Sequence, residues 1–513
     1  YRSHTPEARQ GTPGAPIRPT PSAPGLITPV AKTYVVRMKT FGRDRHHVVI
    51  IGSGFGGLFA AQALKNADVD ITLIAKTTHH LFQPLLYQVA TGILSEGEIA
   101  PVTREILRRQ ANVQVLLGLV WDIDLGNRLV KWRHHNDETV TRYDSLIVAA
   151  GAGQSYFGRD EFATFAPGMK TIDDALELRS RIFWAFEQAE LSGDPAEIER
   201  LLTFCVVGAG PTGVEMAGQI RELASKTLRR EFRDIDPAKA RVILVDGAPQ
   251  VLPPFGATLG AKTLSALEKM GVEVKLNAIV TALDATGLTV TLKDGSTERI
   301  DCSCKVWAAG VQANELGKTL ARQSGAELDR AGRVAVEPDC SLRGHPEVFV
   351  VGDLMQVAGV PGVAQGAIQS ARHAAALITA RLLPEGPRRE RALAKASKPF
   401  RYVDKGSMAT IAKFQAVVKV GKTELTGFLA WLMWLVLHLL YIAGFKNRVS
   451  TLLRWVISFF SNQRSERVTT NQQLVGRLAL EQLGEGASGR LVAGDDLVAE
   501  RAQKTAEGRP GQG

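Results

Sequence analysis

Two glycine-rich loops of the same pattern, each after a short apolar run, constrain the fold of this chain more than any other feature. The first consists of Gly52, Ser53, Gly54, Phe55, Gly56 and Gly57, and the second of Gly208, Ala209, Gly210, Pro211, Thr212 and Gly213. In such a strand–loop–helix unit the first glycine makes a tight turn, the second lets the backbone approach a pyrophosphate, and the third lets the helix pack on the strand. The helix N-terminus then offers free N–H groups to the phosphates. The sequence therefore predicts an α/β fold with two Rossmann-like dinucleotide-binding domains.

Two dinucleotide sites in one chain indicate a redox relay. An enzyme that oxidises its substrate with NAD needs one such site, whereas a protein that passes a hydride from a nicotinamide to a bound flavin needs two. The second loop is followed by an apolar run that ends in Asp246. A carboxylate at that point accepts hydrogen bonds from the ribose hydroxyls and repels a 2′-phosphate. We therefore expect NADH, rather than NADPH, at the second loop.

The first loop lacks this acid, because the corresponding run ends in Ala75 and Lys76. Two explanations stay open: Lys76 contacts the adenosine half electrostatically, or backbone groups hold the ribose. FAD is predicted here because of residues at the ends of later strands. Small residues there leave room for a bulky cofactor, and an aspartate can reach a ribityl hydroxyl. The predicted FAD contacts outside the loop are Lys76, Val120, Ala150, Gly151, Ala309, Gly310, Asp353, Ala364 and Gln365.

Together these features resemble the two-dinucleotide-binding flavoproteins and, within them, the type II NADH:quinone oxidoreductases. The resemblance runs from about residue 46 to about residue 453. It implies FAD on the first loop, NADH on the second, and Glu215 near the nicotinamide and flavin rings. It further implies that the segment from His80 to Ala90 passes beside the flavin. It also implies that Ala364, Gln365 and Gln369, which match an AQxAxQ motif, line a quinone site with Lys405 nearby.

The residues themselves allow that role for the two glutamines. Gln365 and Gln369 are four positions apart, so a helix places both amides on one face. Amides hydrogen-bond a quinone carbonyl and stabilise the negative charge that develops during reduction. A solvated or capping pair of glutamines and a surface lysine at position 405 are the alternatives that spacing alone leaves open.

The cysteine, histidine and charge patterns argue against dithiol flavoenzymes, metal sites and nucleic-acid-binding proteins. Dithiol flavoenzymes need a Cys-x4-Cys pair soon after the first loop, but no cysteine precedes Cys205. Cys302, Cys304 and Cys340 are interpreted as small residues on or near strands. The paired histidines lack a second ligand cluster, so no metal is expected. The net charge of +10 has no nucleic-acid-binding motif beside it. A sulfide:quinone oxidoreductase-like flavoprotein and an NADH-binding signalling flavoprotein stay as alternatives.

A run of 21 residues without formal charge, at 425–445, marks the C-terminal region. As one helix it would extend about 32 Å, enough to cross a membrane, but both flanks are basic and set no orientation. The next segment carries an apolar stripe formed by Val449, Leu452, Leu453, Val456, Ile457 and Phe460. Interfacial roles are predicted for Trp431, Trp434, Tyr441, Trp455, Arg454, Arg464 and Arg467. We favour an anchor lying in one leaflet over a span, and a buried helix pair or dimer interface is the third possibility.

The predicted organisation has six segments. They are a disordered N-terminal extension (1–45), a first FAD-binding part (46–165), the NADH-binding domain (166–330), a second FAD-binding part (331–385), a helical membrane-anchoring region (386–465) and a polar tail (466–513). The expected partners are a membrane quinone, the lipid bilayer surface and a second copy of the chain in a homodimer, with no nucleic acid. The expected location is the cytoplasmic face of the cell membrane, bound peripherally, with the mitochondrial inner membrane as the alternative. No ion pathway is visible, so no proton pumping is expected.

Overall fold

The computed structural model describes residues 45–134 and 137–469. The predicted N-terminal extension, except Arg45, and the tail beyond residue 469 lie outside the described residues. The strands are β1 His46–Ile51, β2 Val69–Ala75, β3 Val113–Leu117, β4 Leu119–Asp124, β5 Leu129–His134, β6 Asp137–Arg142, β7 Ser145–Val148, β8 Ala152–Gln154, β9 Thr203–Val207, β10 Arg241–Asp246, β11 Val272–Leu276, β12 Ala278–Leu283, β13 Gly287–Leu292, β14 Thr297–Asp301, β15 Cys304–Trp307, β16 Val311–Ala313, β17 Val334–Ala335, β18 Ser341–Leu342, β19 His345–Val350, β20 Met355–Gln356, β21 Ser407–Ala412, β22 Gln415–Val420 and β23 Thr423–Gly427. The α-helices are α1 Phe55–Ala63, α2 Leu86–Ala90, α3 Glu96–Ile99, α4 Thr103–Leu107, α5 Ile172–Leu191, α6 Pro195–Leu201, α7 Pro211–Glu222, α8 Ala257–Met270, α9 Leu316–Ser324, α10 Ala364–Leu382, α11 Pro387–Ala396, α12 Phe428–Tyr441 and α13 Phe445–Ser461.

The first glycine loop follows the central strand of a six-stranded sheet of order β18-β19-β7-β1-β2-β3. β1 is buried from Val48 to Ile51, and its alternate residues face two different layers. Val48 and Ile50 pack with α1, α10 and α11, whereas Val49 and Ile51 pack with the three-stranded sheet β4-β5-β6. The unit is therefore a parallel sheet between a helical layer and a small antiparallel sheet.

The second glycine loop repeats this plan. It follows β9, which is central in the parallel sheet β11-β10-β9-β15. Phe204 and Val206 pack in the same apolar cluster as α5 and α7, while Cys205 and Val207 face the antiparallel sheet β12-β13-β14. The predicted α/β fold with two Rossmann-like units is confirmed.

The chain returns to the first sheet after it has built the second, since β19 pairs in parallel with β7. A further antiparallel sheet, β21-β22-β23, packs against α7 through β21 and contacts α12 through all three strands. The predicted domain limits stay predictions.

The single helix considered for residues 425–445 is not formed. β23 extends to Gly427, α12 ends at Tyr441, and α13 begins at Phe445. The breaks fall at Gly427 and Gly444, whose φ angles of +78° and +89° are easily adopted only by glycine. At 14 residues, α12 is about 21 Å long. Within residues 45–134 and 137–469, the structure contains no helix with the length and apolar character to cross a membrane.

Candidate functional site

The first glycine loop leaves an open cradle at the N-terminus of α1. Gly52 has a φ of +99°, and a Cβ there would lie 2.4 Å from the Ala149 carbonyl oxygen. A Cβ on Gly57 would lie 1.8 Å from the Gly52 oxygen, whereas one on Gly54 would meet nothing within 4 Å. The backbone therefore turns tightly while its outer side stays open beside free N–H groups, which suits a pyrophosphate.

Histidines brace this loop in place of the missing acid. The Ser53 hydroxyl donates to the His79 carbonyl at 3.0 Å, and His80 Nδ1 donates to the Ser53 carbonyl at 2.9 Å. Ala75 is buried and Lys76 is exposed, so neither bonds to the loop. Sequence reasoning weighed the histidine pair as metal ligands and expected the segment from His80 to pass beside the flavin, but it missed these contacts with the loop.

Strand ends surround the space in front of the first loop. Gly151, after β7, has a φ of +69° and nothing within 4 Å of its Cβ position. Asp353, after β19, is half-buried, and burial raises the pKa of its carboxyl group while the nearby Lys170 lowers it. Burial in turn lowers the pKa of Lys170, opposed by Asp353. Sequence reasoning missed Lys170, because nothing in the spacing of positions 170 and 353 indicates that they meet.

Three other predicted FAD contacts lie in different surroundings. Val120 is buried in β4, within the apolar cluster between the first sheet and the β4-β5-β6 sheet. Gly310 follows β15 with a φ of +76°, and its Cβ position would lie 2.7 Å from the Phe157 ring. Ala309 is held from the other side, since Gln154 Nε2 donates to the Ala309 carbonyl. Contacts of Val120, Ala309 and Gly310 with a cofactor stay predictions.

The second glycine loop is braced by the carboxylate that the sequence singled out. Gly208 has a φ of +107°, and Pro211 occupies the first turn of α7, where no backbone N–H is needed. Asp246 accepts hydrogen bonds from the backbone N–H groups of Ala209 and Ala248. A Cβ on Gly210 would meet nothing within 4 Å. Asp246 thus fixes the loop from the next strand, a role beyond the predicted contact with ribose.

Glu215 lies in α7, one turn beyond the second loop, and is only 8% exposed. Burial raises the pKa of its carboxyl group to about 8, and hydrogen bonds from Thr410 partly offset this shift. The backbone N–H of Thr410 donates to Glu215 Oε1 at 3.3 Å. At neutral pH the side chain therefore holds a proton in most molecules.

A buried chain of hydrogen bonds connects Glu215 with α13. The Thr410 hydroxyl is 2.8 Å from the Tyr87 hydroxyl, which accepts from Gln88 Nε2 at 3.0 Å. Trp455 Nε1 donates to Gln88 Oε1 at 2.7 Å. The segment 80–90, expected to pass beside the flavin, thus also contacts the C-terminal region through Tyr87 and Gln88.

The two glutamines of α10 share one helix face, as their spacing predicted. Gln369 Nε2 is 3.4 Å from Gln365 Oε1. Gln369 also donates to the Val403 carbonyl at 3.0 Å and accepts from the Val403 N–H at 2.9 Å. Its amide is thus occupied by the segment that leads to Lys405, whereas no hydrogen bond of Gln365 Nε2 with a described residue is formed. The pair is therefore unequal: Gln369 holds a neighbouring segment and Gln365 presents a donor.

Lys405 connects this segment with α12. Its ammonium group is exposed and lies 3.4 Å from the Tyr441 hydroxyl at the end of α12. The structure therefore brings Gln365, Gln369 and Lys405 to one end of the C-terminal helix pair. Their contacts with a quinone stay predictions.

The C-terminal helices present an apolar surface outward. The six residues of the predicted stripe on α13 are all exposed, from 40% at Leu452 to 87% at Phe460. On α12 the exposed apolar residues are Phe428, Leu429, Leu432, Met433, Val436, Leu437 and Leu440.

The predicted interfacial roles of the three tryptophans and of Arg464 are wrong, whereas Arg454 and Arg467 stay about one third exposed and their contact with lipid stays a prediction. Trp431, Trp434 and Trp455 are buried against the body, because helices with one outward apolar face need large residues to fill the inner one. The guanidinium groups of all three arginines form bonds with other groups of the protein. Arg464 is buried and donates to the Thr91 carbonyl and to Gln219, Arg454 pairs with Glu98 and Glu466, and Arg467 pairs with Glu231.

All four cysteines are buried free thiols. Cys205, in β9, and Cys302, between β14 and β15, are close enough for a side-chain hydrogen bond. Among the described residues no group of three or more histidine, cysteine or acidic side chains is placed to hold a metal ion.

The chain is similar to a known family and to several known proteins. The pyridine nucleotide-disulphide oxidoreductase family matches residues 46–376. The type II NADH:quinone oxidoreductase NdhA of Mycobacterium tuberculosis is 62% identical over 465 residues, which cover 90% of this chain and 97% of that protein. Its counterpart Ndh from the same organism is 62% identical over 444 residues, which cover 86% of this chain and 94% of that protein.

Solved structures support the fold. NDH2 from Plasmodium falciparum in complex with NADH has a TM-score of 0.74 at 18% identity and covers 83% of this chain and 100% of that one. The sulfide:quinone oxidoreductase of Aquifex aeolicus has a TM-score of 0.61 at 18% identity and covers 83% and 96%. Because these two neighbours are named for different electron donors, the fold alone does not distinguish the donors.

Proposed function

Because the chain belongs to the type II NADH:quinone oxidoreductases, we propose that it transfers two electrons from NADH through FAD to a membrane quinone without pumping protons. The observation that carries this proposal is the contact of Lys405 with Tyr441. It joins the segment held by Gln369 to a pair of helices whose outer faces are apolar and exposed. An acceptor dissolved in lipid would therefore reach the predicted quinone side chains along these helices.

FAD and NADH are assigned to the two glycine loops. The open cradle at Gly54, the space beside Gly151 and the Asp353–Lys170 pair suit FAD, and the loop braced by Asp246 suits NADH. When bound, FAD would supply the redox chemistry, the acceptance of a hydride from NADH and the delivery of two electrons to the quinone. The protein supplies position and electrostatics: the loops fix the dinucleotides, and Glu215 lies where the nicotinamide is expected.

Proton balance gives Glu215 a further task. A hydride carries two electrons and one proton, whereas reduction of a quinone to a quinol needs two electrons and two protons. The second proton must come from the medium. Glu215, protonated near neutral pH because burial raises its pKa to about 8, holds a proton within the site. Its bond with Thr410 keeps the carboxyl group oriented.

Gln365 and Gln369 receive different roles. Gln365 Nε2 is the donor proposed for a quinone carbonyl, which would stabilise negative charge as it develops. Gln369 is a positioning residue, since its amide holds the Val403 backbone two residues before Lys405.

The lipid bilayer surface is the partner proposed for α12 and α13. Continuous exposed apolar faces of this kind mark membrane or protein contact sites, and Lys446 and Arg448 stand at the start of α13. We propose peripheral attachment at the cytoplasmic face of the cell membrane. The bacterial origin of the two relatives at 62% identity supports this location over a mitochondrial one. The predicted homodimer rests on the family resemblance, and light scattering of detergent-solubilised protein tests it.

Donor choice tests the proposed function. The purified, FAD-loaded protein should reduce a short-tailed quinone with NADH, far more slowly with NADPH, and not with sulfide. Replacing Asp246 with alanine removes the brace of the second loop and should raise the KM for NADH about tenfold, since hydrogen bonds to a charged group contribute about 1.5–3 kcal/mol. Glu273→Ala is the matched control, because Glu273 is an acid on the adjacent β11 that pairs with Arg241 instead.

Two results would contradict this assignment. Turnover with sulfide in place of NADH would favour the sulfide:quinone oxidoreductase alternative. A protein that binds NADH and becomes reduced, but does not turn over with any quinone, would be the signalling flavoprotein.

A further inference from the structure

His438 is an isolated imidazole in an otherwise apolar helix. The sequence of α12 is FLAWLMWLVLHLLY, in which His438 is the only titratable side chain before the terminal Tyr441. A polar group in such surroundings costs free energy unless it finds a partner, so its presence indicates a role.

The imidazole ring faces the body of the protein. It stacks on Trp434 with ring centroids 4.3 Å apart, and it meets Phe82 edge-on at 6.1 Å. Phe82 in turn meets Phe55, a residue of the first glycine loop, at 5.8 Å. His438 therefore lies between the lipid-facing side of α12 and the loop assigned to FAD.

One nitrogen of His438 is occupied and the other is not. Nδ1 is 2.7 Å from the Trp434 carbonyl oxygen. Because a carbonyl only accepts, Nδ1 carries the hydrogen and Nε2 keeps a lone pair. Nε2 forms no hydrogen bond with a described residue. Burial lowers the pKa of His438 to about 4, so the ring is neutral at physiological pH and Nε2 acts as an acceptor.

We propose that His438 Nε2 accepts a hydrogen bond from a hydroxyl group of the quinol, and so distinguishes the reduced product from the quinone. This inference rests on the proposed function. A quinone has two carbonyl oxygens, which only accept; two electrons and two protons convert them into hydroxyls, which also donate. An acceptor without a hydrogen therefore gains a partner only when an O–H bond has formed.

The surroundings of His438 complement this acceptor. Tyr441 lies three residues further along α12, on the same side of the helix, and its hydroxyl contacts Lys405. Gln365 presents an amide donor suited to a carbonyl, whereas His438 presents an acceptor suited to a hydroxyl.

Product inhibition of the full-length, FAD-loaded enzyme tests the inference. With decylubiquinone as acceptor and decylubiquinol as inhibitor, His438→Phe keeps the aromatic stacking but loses the acceptor. The quinol inhibition constant should rise about fivefold, the effect of one hydrogen bond, while the KM for the quinone changes less than about twofold. His438→Gln places an amide oxygen near the Nε2 position and should restore most of the quinol affinity.

Leu191→Phe, at an exposed position of α5 outside the apolar surface of α12 and α13, is the control and should change neither constant. Equal changes in the quinone KM and the quinol inhibition constant would overturn the inference, as would no change in either. Failure of quinone to reoxidise the reduced wild-type flavin would instead overturn the proposed function, and this inference with it.

Discussion

At the scale of single residues, the site depends on buried polar groups whose surroundings change their chemistry. Glu215 is the clearest case. Its carboxyl group is removed from water, and only Thr410 bonds to it directly. Besides burial, only the hydrogen bonds from Thr410 shift its pKa, and no cation contributes. Burial without a cation favours the neutral acid.

The pKa of Glu215 predicts a dependence of stability on pH. The folded protein keeps the proton up to a pKa of about 8, whereas the unfolded chain releases it near the ordinary 4.5. Between these values the folded state binds more protons than the unfolded state, so stability falls as pH rises, by a few kcal/mol in total. Above a pH of about 8 the effect is constant. Glu215→Gln lacks this titration.

Thermal or urea unfolding of wild type and Glu215→Gln at several pH values measures this effect. The stability of the wild type relative to the variant should decrease from about pH 5 to about pH 8 and then level off. Glu187→Gln, at an exposed position of α5, is the control and should show no such trend. A difference between wild type and Glu215→Gln that stays constant with pH would contradict the buried, protonated glutamate.

Residue-level prediction from the sequence succeeded where a motif fixes both position and chemistry. The acid at Asp246 and the face shared by Gln365 and Gln369 lie where spacing placed them. The bond of His80 with Ser53 and the pairing of Lys170 with Asp353 were not predictable, because they join segments whose separation along the chain carries no pattern. Tertiary packing alone decides such contacts.

At the scale of elements, α12 and α13 each have two apolar faces, of which one is exposed and the other is buried against the body of the protein. The stripe from Val449 to Phe460 was predicted from its helical period and is exposed. The tryptophans could not be assigned from the sequence, because an indole suits both an interface and a core. Likewise, arginine meets lipid head groups or buried carbonyls equally well, and Arg464 meets carbonyls.

Substitutions on the outer face of α13 test membrane attachment. Leu453 and Ile457 are each 58% exposed, so Leu453→Glu combined with Ile457→Glu should leave folding and FAD content intact. Each apolar side chain contributes about 1.5–3 kcal/mol when it is buried, so binding should weaken at least about tenfold. Co-sedimentation with phosphatidylcholine vesicles measures the change.

The matched control is Leu191→Glu combined with Ile279→Glu, which changes charge and apolarity equally at exposed positions of α5 and β12. This control should bind vesicles like the wild type. Equal vesicle binding by the α13 variant and the wild type would contradict the proposal that this surface contacts lipid.

At the scale of the whole molecule, the C-terminal region is built into the redox body rather than appended to it. Arg464, beyond α13, bonds to the Thr91 carbonyl and to Gln219 on α7, and the Glu466 N–H donates to the Gly92 carbonyl. The sheet β21-β22-β23 packs on α7. The helix that begins at the second glycine loop is therefore in contact with the region that presents the apolar surface.

The two Rossmann-like units were predictable because their glycine loops, buried strands and strand-end residues are local patterns. The C-terminal architecture was not, since a continuous apolar run gives no sign that Gly427 and Gly444 divide it into a strand and two helices. Trp455 and Arg464 hold this region in place through hydrogen bonds with α2 and α7, which lie far away along the chain.

We claim that electrons pass from NADH through a bound flavin to a quinone, and anaerobic absorbance spectra of the purified protein follow each of these transfers. The purified protein should show the absorbance of oxidised flavin, lose it when NADH is added, and regain it when a quinone follows. A protein purified without flavin, a flavin that NADH does not bleach, or a reduced flavin that quinone fails to reoxidise would contradict the claim.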